Sequence, residues 1–440
     1  MPTKPDRPSL EEINASVRVP SVYEPSFFQK FLACSGPGAL VAVGYMDPGN
    51  WLTSLAGGSQ YRYTLLAVLW IAILIAMFMQ ALAIKLGVVS RLDLAQAIAG
   101  RLPTSGRILL WLLNEVTMMA TDLTGVLGTA IALKLLFGLP LLWGILLTIL
   151  DVLVVLLFLR FGIRRVEFIV LAAIATVGVI FGLEVFRAHP VWHAIATGLV
   201  PTPRLLTHHA ELVLSLGIVG ATIMPHNLYL HSSLAQSRRY DQHDPRQVTE
   251  ALRFARWDST VHLIAALLIN ALLLILGGTL FWQTTGHLSS LQGVFYSLKD
   301  PAVVGNLASP VMSWLFAFAL LITGLISSIT STLSGQIVME GYLHIRLPLW
   351  QRRLLTRAVT LVPILVVGAV VGFNDQAFEN MIIDAQIVLS VALPFTLFPL
   401  IHLTSDQTLM GAHTNHRATQ FVGYALAGII TMLNLELIFA

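Results

Sequence analysis

Long runs of hydrophobic residues, separated by short polar gaps, dominate the pattern along this chain. A helix that spans a membrane needs about 20 predominantly apolar residues. Eleven stretches come close to or exceed that length: 39–57, 64–88, 108–137, 141–160, 166–187, 211–235, 258–282, 308–335, 357–374, 380–402 and 419–439. The pattern therefore predicts an all-α polytopic membrane protein whose eleven transmembrane helices lie in a lipid bilayer.

The composition supports this prediction and excludes several function classes. Hydrophobic residues make up 56% of the chain and charged residues only 11%, whereas about a quarter of the residues of soluble domains are charged. The net charge of +3 does not indicate nucleic-acid binding, because the basic residues lie in the gaps between apolar runs. The single cysteine, Cys34, excludes an intramolecular disulfide and a site built from several thiolates. The sequence shows no soluble catalytic domain or nucleotide-binding loop, so we expect neither enzyme activity nor a resident cofactor.

Basic residues are distributed unequally between the two sets of gaps. If the N-terminus is cytoplasmic, the cytoplasmic gaps hold most of the arginines, and the opposite gaps hold only Arg62, Arg187, Arg204 and Lys299. The positive-inside rule then predicts a cytoplasmic N-terminus and an extracellular C-terminus. We expect the membrane to be the plasma membrane. The first 35 residues are polar and lack the apolar core of a secretory signal, so we expect them to form a cytoplasmic arm.

The eleven segments divide into two halves of five and a final helix. Because five is an odd number, the first helix of one half and the first helix of the other have opposite membrane orientations. The longest charged stretch follows the sixth segment, inside the second half, and is most simply a cytoplasmic linker. The predicted organisation is an arm at 1–35, a first repeat at 36–187, an extracellular loop with broken helix 6 at 188–235, a linker at 236–257, the rest of the second repeat at 258–402 and helix 11 at 403–440.

The first predicted helix is interrupted by Asp47-Pro48-Gly49-Asn50. Proline removes a backbone donor and clashes with the preceding turn, while glycine adopts conformations that other residues avoid. A break at membrane depth frees carbonyl groups, so it requires protein, a polar cavity or an ion as their partner. Asp47 adds a carboxylate and Asn50 an amide oxygen, and a charged side chain in mid-membrane indicates function. The alternative is a proline kink in which Asp47 pairs with a basic residue.

The first helix of the second half is interrupted in turn by Met224-Pro225-His226. Interrupted segments at corresponding positions of two repeats point to a transporter substrate site near the bilayer midplane. A methionine in an apolar helix usually fills space in the core. Opposite Asp47 and Asn50, however, the thioether of Met224 predicts a site that prefers manganese or iron and rejects calcium and magnesium. His226 is a ligand, a proton carrier or a hydrogen-bonded structural group.

Two acids in the third segment are candidates for proton transfer. Glu115 and Asp122 are seven residues apart, so they share one face of a helix. The alternative is a structural ion pair with Arg357.

The sequence resembles the Nramp family of proton-coupled divalent-metal transporters along essentially its whole length. Besides the two interruptions, the resemblance rests on Gly36-Pro37-Gly38 to Gly57, Ala120-Thr121-Asp122, Gly335-Gln336, Met339-Glu340-Gly341 and Gln386. The stretches that resemble the bacterial manganese-importing branch are Ser9-Leu10-Glu11-Glu12 and Pro348-Leu349-Trp350. The resemblance implies an inverted five-plus-five repeat of the leucine-transporter type with broken helices 1 and 6.

The resemblance also implies roles for individual residues. The implied metal ligands are Asp47, Asn50 and Met224, with the carbonyl groups of Gly44 and Ala221 in some states and Gln386 in the occluded state. The implied proton route begins at Asp47 or His226 and continues through Asp122, Glu115 and Arg357. Metal would move inward by alternating access, with Mn²⁺, Fe²⁺ and Cd²⁺ as substrates and protons as co-substrate. No obligate protein partner is implied.

The chain departs from the family pattern at three places. Gly125 stands where a glutamate is usual, two residues after Leu123, so a carboxylate usually assigned to proton transfer is missing. Ile73 replaces a frequent asparagine, and the stretch 323–327 lacks a common glutamine. We therefore expect complete metal ligands but proton coupling that is weak, absent or differently routed.

Other functions are compatible with parts of this pattern. A cation-coupled amino-acid carrier shares the broken-helix layout, but its substrate does not require an aspartate, an asparagine and a methionine. A magnesium transporter would need an all-oxygen site, and an intramembrane metalloprotease would need His-Glu-x-x-His, which the sequence lacks. A channel is possible, although paired breaks suit alternating access better.

Overall fold

The computed structural model describes residues 9–10, 14–18, 30–31, 35–151, 153, 163–282, 290–301 and 308–439. These residues are mainly helical, in agreement with the predicted fold class. The helices are α1 (Pro37–Gly44), α2 (Pro48–Tyr61), α3 (Leu66–Ser90), α4 (Leu94–Ala99), α5 (Thr104–Phe137), α6 (Leu141–Leu147), α7 (Ile163–Ala188), α8 (Trp192–Gly198), α9 (Arg204–Thr207), α10 (His209–Ile223), α11 (Pro225–Leu234), α12 (Pro245–Leu280), α13 (Leu291–Ser297), α14 (Pro310–Leu343), α15 (Leu349–Val371), α16 (Asp375–Ala392), α17 (Pro394–Thr404), α18 (Gln407–Met410) and α19 (Arg417–Phe439).

Nine helical spans in the described ranges are long and apolar enough to cross a membrane. One of them combines α10 and α11, and another combines α16 and α17. The first predicted segment corresponds to the broken pair α1 and α2. The fourth begins with α6, and most of its remainder, at 152 and 154–160, lies outside the described residues. The prediction of a multi-pass helical membrane protein is confirmed.

Helix α12 begins earlier than the sequence pattern predicts. Its first residue, Pro245, lies inside the stretch 236–257 that we interpreted as a linker. The Asp244 side chain accepts a hydrogen bond from the backbone N–H of Arg246, so it caps the helix. Proline is favoured at the first helical position. The hydrophobic pattern does not predict this start because the first turns of α12 are charged.

The broken helices occupy the centre of the bundle. Every residue of α1 and of α11 is buried, and α5, α12, α14 and α16 pack around them. The outer helices differ, because α15 and α19 expose large apolar side chains such as Val362 (59%) and Phe421 (75%). Apolar side chains on the outer surface and polar ones inside fit a bundle surrounded by lipid.

Part of the N-terminal arm packs against the body of the protein. Strand β1 (Val17–Arg18) pairs in parallel with strand β2 (Arg238–Arg239), which follows α11. The backbone N–H of Ala15 donates to the carbonyl of Gln236 over 3.0 Å, and that of Leu10 donates to Glu340 Oε2 over 3.2 Å. The described residues of the arm therefore touch the ends of α11 and α14.

Candidate metal-binding site

The first predicted helix is broken where the sequence places the interruption. Helix α1 ends at Gly44, and α2 begins at Pro48. Asp47 is the N-cap of α2, and its Oδ2 accepts a hydrogen bond from the backbone N–H of Gly49 over 3.0 Å. An aspartate at this position satisfies one of the free donors at a helix start and is favoured by the helix dipole. The prediction that Pro48 and Gly49 interrupt the helix is confirmed.

Hydroxyl groups from two other helices hold the Asp47 carboxylate. Thr124 of α5 donates to Oδ2 over 2.6 Å, and Ser327 of α14 donates to Oδ1 over 2.8 Å. Asp47 is only 1% exposed. Its described hydrogen-bond partners are thus all uncharged donors, which orient the carboxylate without neutralising it.

The second break lies at Met224, between the end of α10 at Ile223 and the start of α11 at Pro225. Met224 has a φ of 35° and a ψ of 106°. A positive φ is uncommon for a residue with a side chain, and such strain persists only where the surroundings impose it. The helix is thus interrupted directly before Pro225. The residue between the two helices is Met224, the candidate ligand itself.

The two breaks meet inside the bundle. Asn50 Nδ2 donates to the carbonyl of Ala221 over 2.7 Å, which joins α2 to α10. Gln386 of α16 lies at both breaks. A Cβ atom added to Gly49 would collide with the side-chain amide of Gln386, and one added to Gly220 would collide with the backbone carbonyl of Gln386. The structure therefore brings together Asp47, Asn50, Ala221 and Gln386, with Met224 three residues beyond Ala221.

Several buried polar atoms at this meeting point lack a partner. Within the described part of the chain, Asn50 Oδ1 and both amide atoms of Gln386 make no hydrogen bond. Buried polar atoms are nearly always paired, so unpaired ones require an explanation such as a bound ion. The described ranges hold no cluster of three or more histidine, cysteine, aspartate or glutamate side chains. A metal bound at this meeting point would have Asp47 as its carboxylate ligand among the described residues, and its other protein ligands would come from amide, carbonyl, thioether or imidazole groups.

His226 lies one residue beyond Pro225, and its side chain points to α5. Its Nδ1 is 3.3 Å from the hydroxyl oxygen of Thr121, while its Nε2 is buried and has no described partner. The ring is thus anchored at one nitrogen and free at the other. This placement is compatible with each of its predicted roles, as a ligand, a proton carrier or a hydrogen-bonded structural group.

The predicted proton-route residues lie in a separate group of ion pairs. We use the name ion-pair cluster for Asp122, Asp151, Arg353 and Arg357. Arg353 pairs with both Asp122 and Asp151, Arg357 pairs with Asp151, and Arg357 Nη1 is 3.4 Å from Asp122 Oδ2. The expected contact between Asp122 and Arg357 is present, but the closer partner of Asp122 is Arg353.

Glu115 differs from the expected arrangement. It pairs with Arg352, whose Nη2 lies 2.5 Å and 2.6 Å from the two carboxylate oxygens. The alternative that we considered, an ion pair of Glu115 with Arg357, is not present, because Arg352 and Arg357 are five residues apart and contact different levels of α5. The two acids share helix α5 as predicted, yet they belong to different ion pairs.

Sequence reasoning did not identify Thr124, Ser327, Asp151 or Arg353. A signal existed for Asp151, since an acid inside a predicted apolar segment indicates a buried partner. No comparable signal marks Ser327, because α14 carries many hydroxyl side chains. Gly125 lies beside α14, where an added Cβ would be 3.7 Å from the carbonyl oxygen of Gly324.

Known proteins are similar to this chain over nearly its whole length. The family model "Natural resistance-associated macrophage protein-like" (Nramp) matches residues 38–440. A protein of Latilactobacillus sakei named divalent metal cation transporter MntH is 45% identical, over 98% of this chain and 94% of the relative. A Staphylococcus aureus protein of the same name is 43% identical, over 98% of this chain and 95% of the relative.

Solved structures give the same result for the fold. The manganese transporter of Eremococcus coleocola, crystallised with an aromatic bis-isothiourea compound, matches with a TM-score of 0.91 and 43% identity, over 97% of this chain and 90% of that one. Mhp1, a nucleobase-cation-symport-1 family transporter, matches with a TM-score of 0.53 and 14% identity over 96% and 93% of the two chains, which indicates a shared fold alone. With the family model, the relatives and the two broken helices in agreement, the chain belongs to the Nramp family.

Proposed function

We propose that this chain carries a divalent transition metal across the plasma membrane by alternating access, with Mn²⁺ as its main substrate and Fe²⁺ and Cd²⁺ as further substrates. The observation that carries the proposal is made at the two helix breaks in the centre of the bundle. There the Asp47 carboxylate lies near amide atoms of Asn50 (Oδ1) and Gln386 that have no described hydrogen-bond partner. The names of the relatives, divalent metal cation transporter and manganese transporter, support it.

In this proposal the metal ligands are Asp47, Asn50 and Met224, joined by Gln386 and by the carbonyl groups of Gly44 and Ala221. Asp47 supplies the negative charge. Two of its three hydrogen bonds go to Oδ2 and one goes to Oδ1. Because a carboxylate has about four acceptor positions, one position remains for the metal, on Oδ1. Asn50 donates through Nδ2 to Ala221 and therefore presents Oδ1 to the metal. Oxygen ligands with one thioether favour Mn²⁺, Fe²⁺ and Cd²⁺ over Ca²⁺ and Mg²⁺.

The proposed ligands are closed to solvent in this conformation. Asp47, Asn50, Met224 and Gln386 are each at most 2% exposed. Alternating access requires a path to open on one side at a time, and the breaks at Asp47 and Met224 are the natural hinges. The distribution of arginines supports a cytoplasmic N-terminus and an extracellular C-terminus. Inward movement of the metal is part of the proposal because the resemblance to the Nramp family implies it.

Proton cotransport is proposed to be weak or to follow a route that starts at His226. Position 125 offers no carboxylate, and Asp122 is engaged by Arg353 and Arg357. His226 retains a free buried nitrogen. The second candidate function is therefore metal transport without proton coupling.

Calorimetric titration of the purified protein with Mn²⁺ and Cd²⁺ tests the ligand set. Wild type should bind both ions, and Met224→Ala should keep some Mn²⁺ binding while losing discrimination against Ca²⁺ and Mg²⁺. Met79→Ala is the matched control, because Met79 is equally buried in the core of α3. Wild type that binds neither ion, or Met224→Ala that weakens all four ions equally, would contradict the proposal.

A further inference from the structure

We propose that Asn227 is a positioning residue that fixes the sulfur atom of Met224 and so sets the preference between soft and hard metal ions. This inference rests on the proposed role of Met224 as a ligand. It concerns a residue that neither the hydrophobic pattern nor the two break motifs single out.

The Asn227 side chain is fully buried in the first turn of α11. Its Nδ2 donates to Met224 Sδ over 3.3 Å and lies 3.4 Å from the carbonyl oxygen of Val41. The backbone N–H of Asn227 also donates to the carbonyl of Met224 over 3.2 Å. One side chain therefore links the thioether of the second break to the last turns of α1.

Close packing holds this amide in place. A Cβ atom added to Gly44 would collide with Asn227 Nδ2, so α1 approaches the amide as closely as a glycine permits. The Asn227 side chain is wedged between α1 and Met224. It can therefore act as a fixed donor rather than as a mobile group.

A fixed hydrogen-bond donor can hold the sulfur atom of a methionine in one orientation. Methionine has three rotatable bonds and fills irregular space, so its sulfur is poorly oriented unless something constrains it. Here the strained backbone at Met224 fixes the start of the side chain, and the N–H of Asn227 fixes its end. A thioether accepts weakly, and a hydrogen bond to one lone pair leaves the other directed elsewhere. A ligand orientated in this way binds metal without first losing rotamer freedom.

The effect on ion preference follows from the nature of the metals. Cd²⁺ is soft and gains more from a thioether than Mn²⁺, which depends mainly on oxygen ligands. Loss of the Asn227 donor should therefore weaken Cd²⁺ binding more than Mn²⁺ binding. A direct ligand role for the unpaired Asn227 Oδ1 predicts a different outcome, since an oxygen ligand would serve Mn²⁺ at least as well.

A double-mutant cycle with Met224→Ala separates these possibilities. Asn227→Leu keeps the branched shape and the number of side-chain heavy atoms and removes the donor. We expect it to weaken Cd²⁺ binding about 10-fold and Mn²⁺ binding about 2-fold, the range for one lost hydrogen bond. In the Met224→Ala background the same change should alter either affinity by less than about 2-fold. Asn227→Ser, which is too short to reach the sulfur and smaller beside Gly44, should give the same pattern if Asn227→Leu does not fold.

Asn114→Leu provides the matched control. Asn114 is also buried, its Nδ2 donates to Leu110 and to Tyr229 of α11, and its Oδ1 has no described partner. It should leave the ratio of Cd²⁺ to Mn²⁺ affinity unchanged.

The outcomes separate the two proposals. If Met224→Ala alone leaves Cd²⁺ binding intact, the ligand proposal fails. If Met224→Ala weakens Cd²⁺ binding but Asn227→Leu has the same effect in both backgrounds, only the positioning role is overturned. An equal or larger loss of Mn²⁺ binding in Asn227→Leu would also overturn it.

Discussion

Two buried polar regions of this protein treat charge in opposite ways. In the ion-pair cluster, two carboxylates face two guanidinium groups. At the helix breaks, the described hydrogen-bond partners of the Asp47 carboxylate are all uncharged donors. Nearby, Asn50 Oδ1 and both side-chain amide atoms of Gln386 have no described partner. A buried charge is costly unless it is paired. The cluster neutralises itself, whereas the break site carries a negative charge that a metal cation would neutralise.

Removal of the charge at the break site should have the largest functional effect. Asp47→Ala deletes the only acidic member of the proposed ligand set, so Mn²⁺ uptake into proteoliposomes should fall to background. Asp375→Asn is the control, because this half-exposed acid of α16 pairs with Lys134 away from the breaks. Appreciable Mn²⁺ uptake by Asp47→Ala would show that the site does not depend on its charge.

Removal of one arginine from the ion-pair cluster should mainly lower the stability of the folded protein. Arg353→Leu leaves Asp122 and Asp151 with Arg357 as their remaining partner in the cluster, and loss of one member of a buried ion pair costs about 3–5 kcal/mol. We expect a clearly lower melting temperature in detergent. Arg353→Leu combined with Asp122→Leu should recover part of the loss, because the uncompensated charge is removed. An unchanged melting temperature for Arg353→Leu would contradict the structural role assigned to the cluster.

The hydroxyl groups around Asp47 should have a smaller effect. Thr124→Val and Ser327→Ala each remove a hydrogen bond to a charged group, which is worth about 1.5–3 kcal/mol. Part of that loss should appear as weaker Mn²⁺ binding, by roughly 10-fold in a titration, because the carboxylate is less well oriented. Thr330→Val is a suitable control, since its hydroxyl donates within α14 to the carbonyl of Ser327. The orienting role fails if Thr124→Val binds Mn²⁺ as tightly as this control.

A carboxylate added beside the break site should have the smallest effect. Gly125→Glu puts an acid on α5 next to Thr124, which donates to Asp47, and three residues after Asp122. An added Cβ at position 125 meets only an ordinary contact. We expect a modest rise in proton entry during Mn²⁺ uptake, measured with a pH-sensitive dye in proteoliposomes. Gly125→Gln, of similar size, should give no rise. Equal proton entry in both variants and wild type would show that the missing carboxylate does not limit coupling.

The helix breaks could be predicted from the sequence, whereas the partners of the buried charges could not. Both breaks were predictable because Pro48, Gly49 and Pro225 act locally on the helix that contains them. The partners of Asp47 were not, since Ser327 is one of several hydroxyl residues in α14 and only packing decides which one faces the carboxylate. The choice between Arg353 and Arg357 likewise depends on how α15 lies against α5.

We propose that a metal binds at the two breaks through oxygen atoms and the Met224 sulfur. Cadmium K-edge X-ray absorption on the purified, Cd²⁺-loaded protein tests it most directly. We expect one sulfur neighbour of the cadmium among oxygen or nitrogen neighbours in wild type, and only oxygen or nitrogen neighbours in Met224→Ala. A wild-type spectrum without sulfur, or a sulfur signal that survives in Met224→Ala, would contradict it.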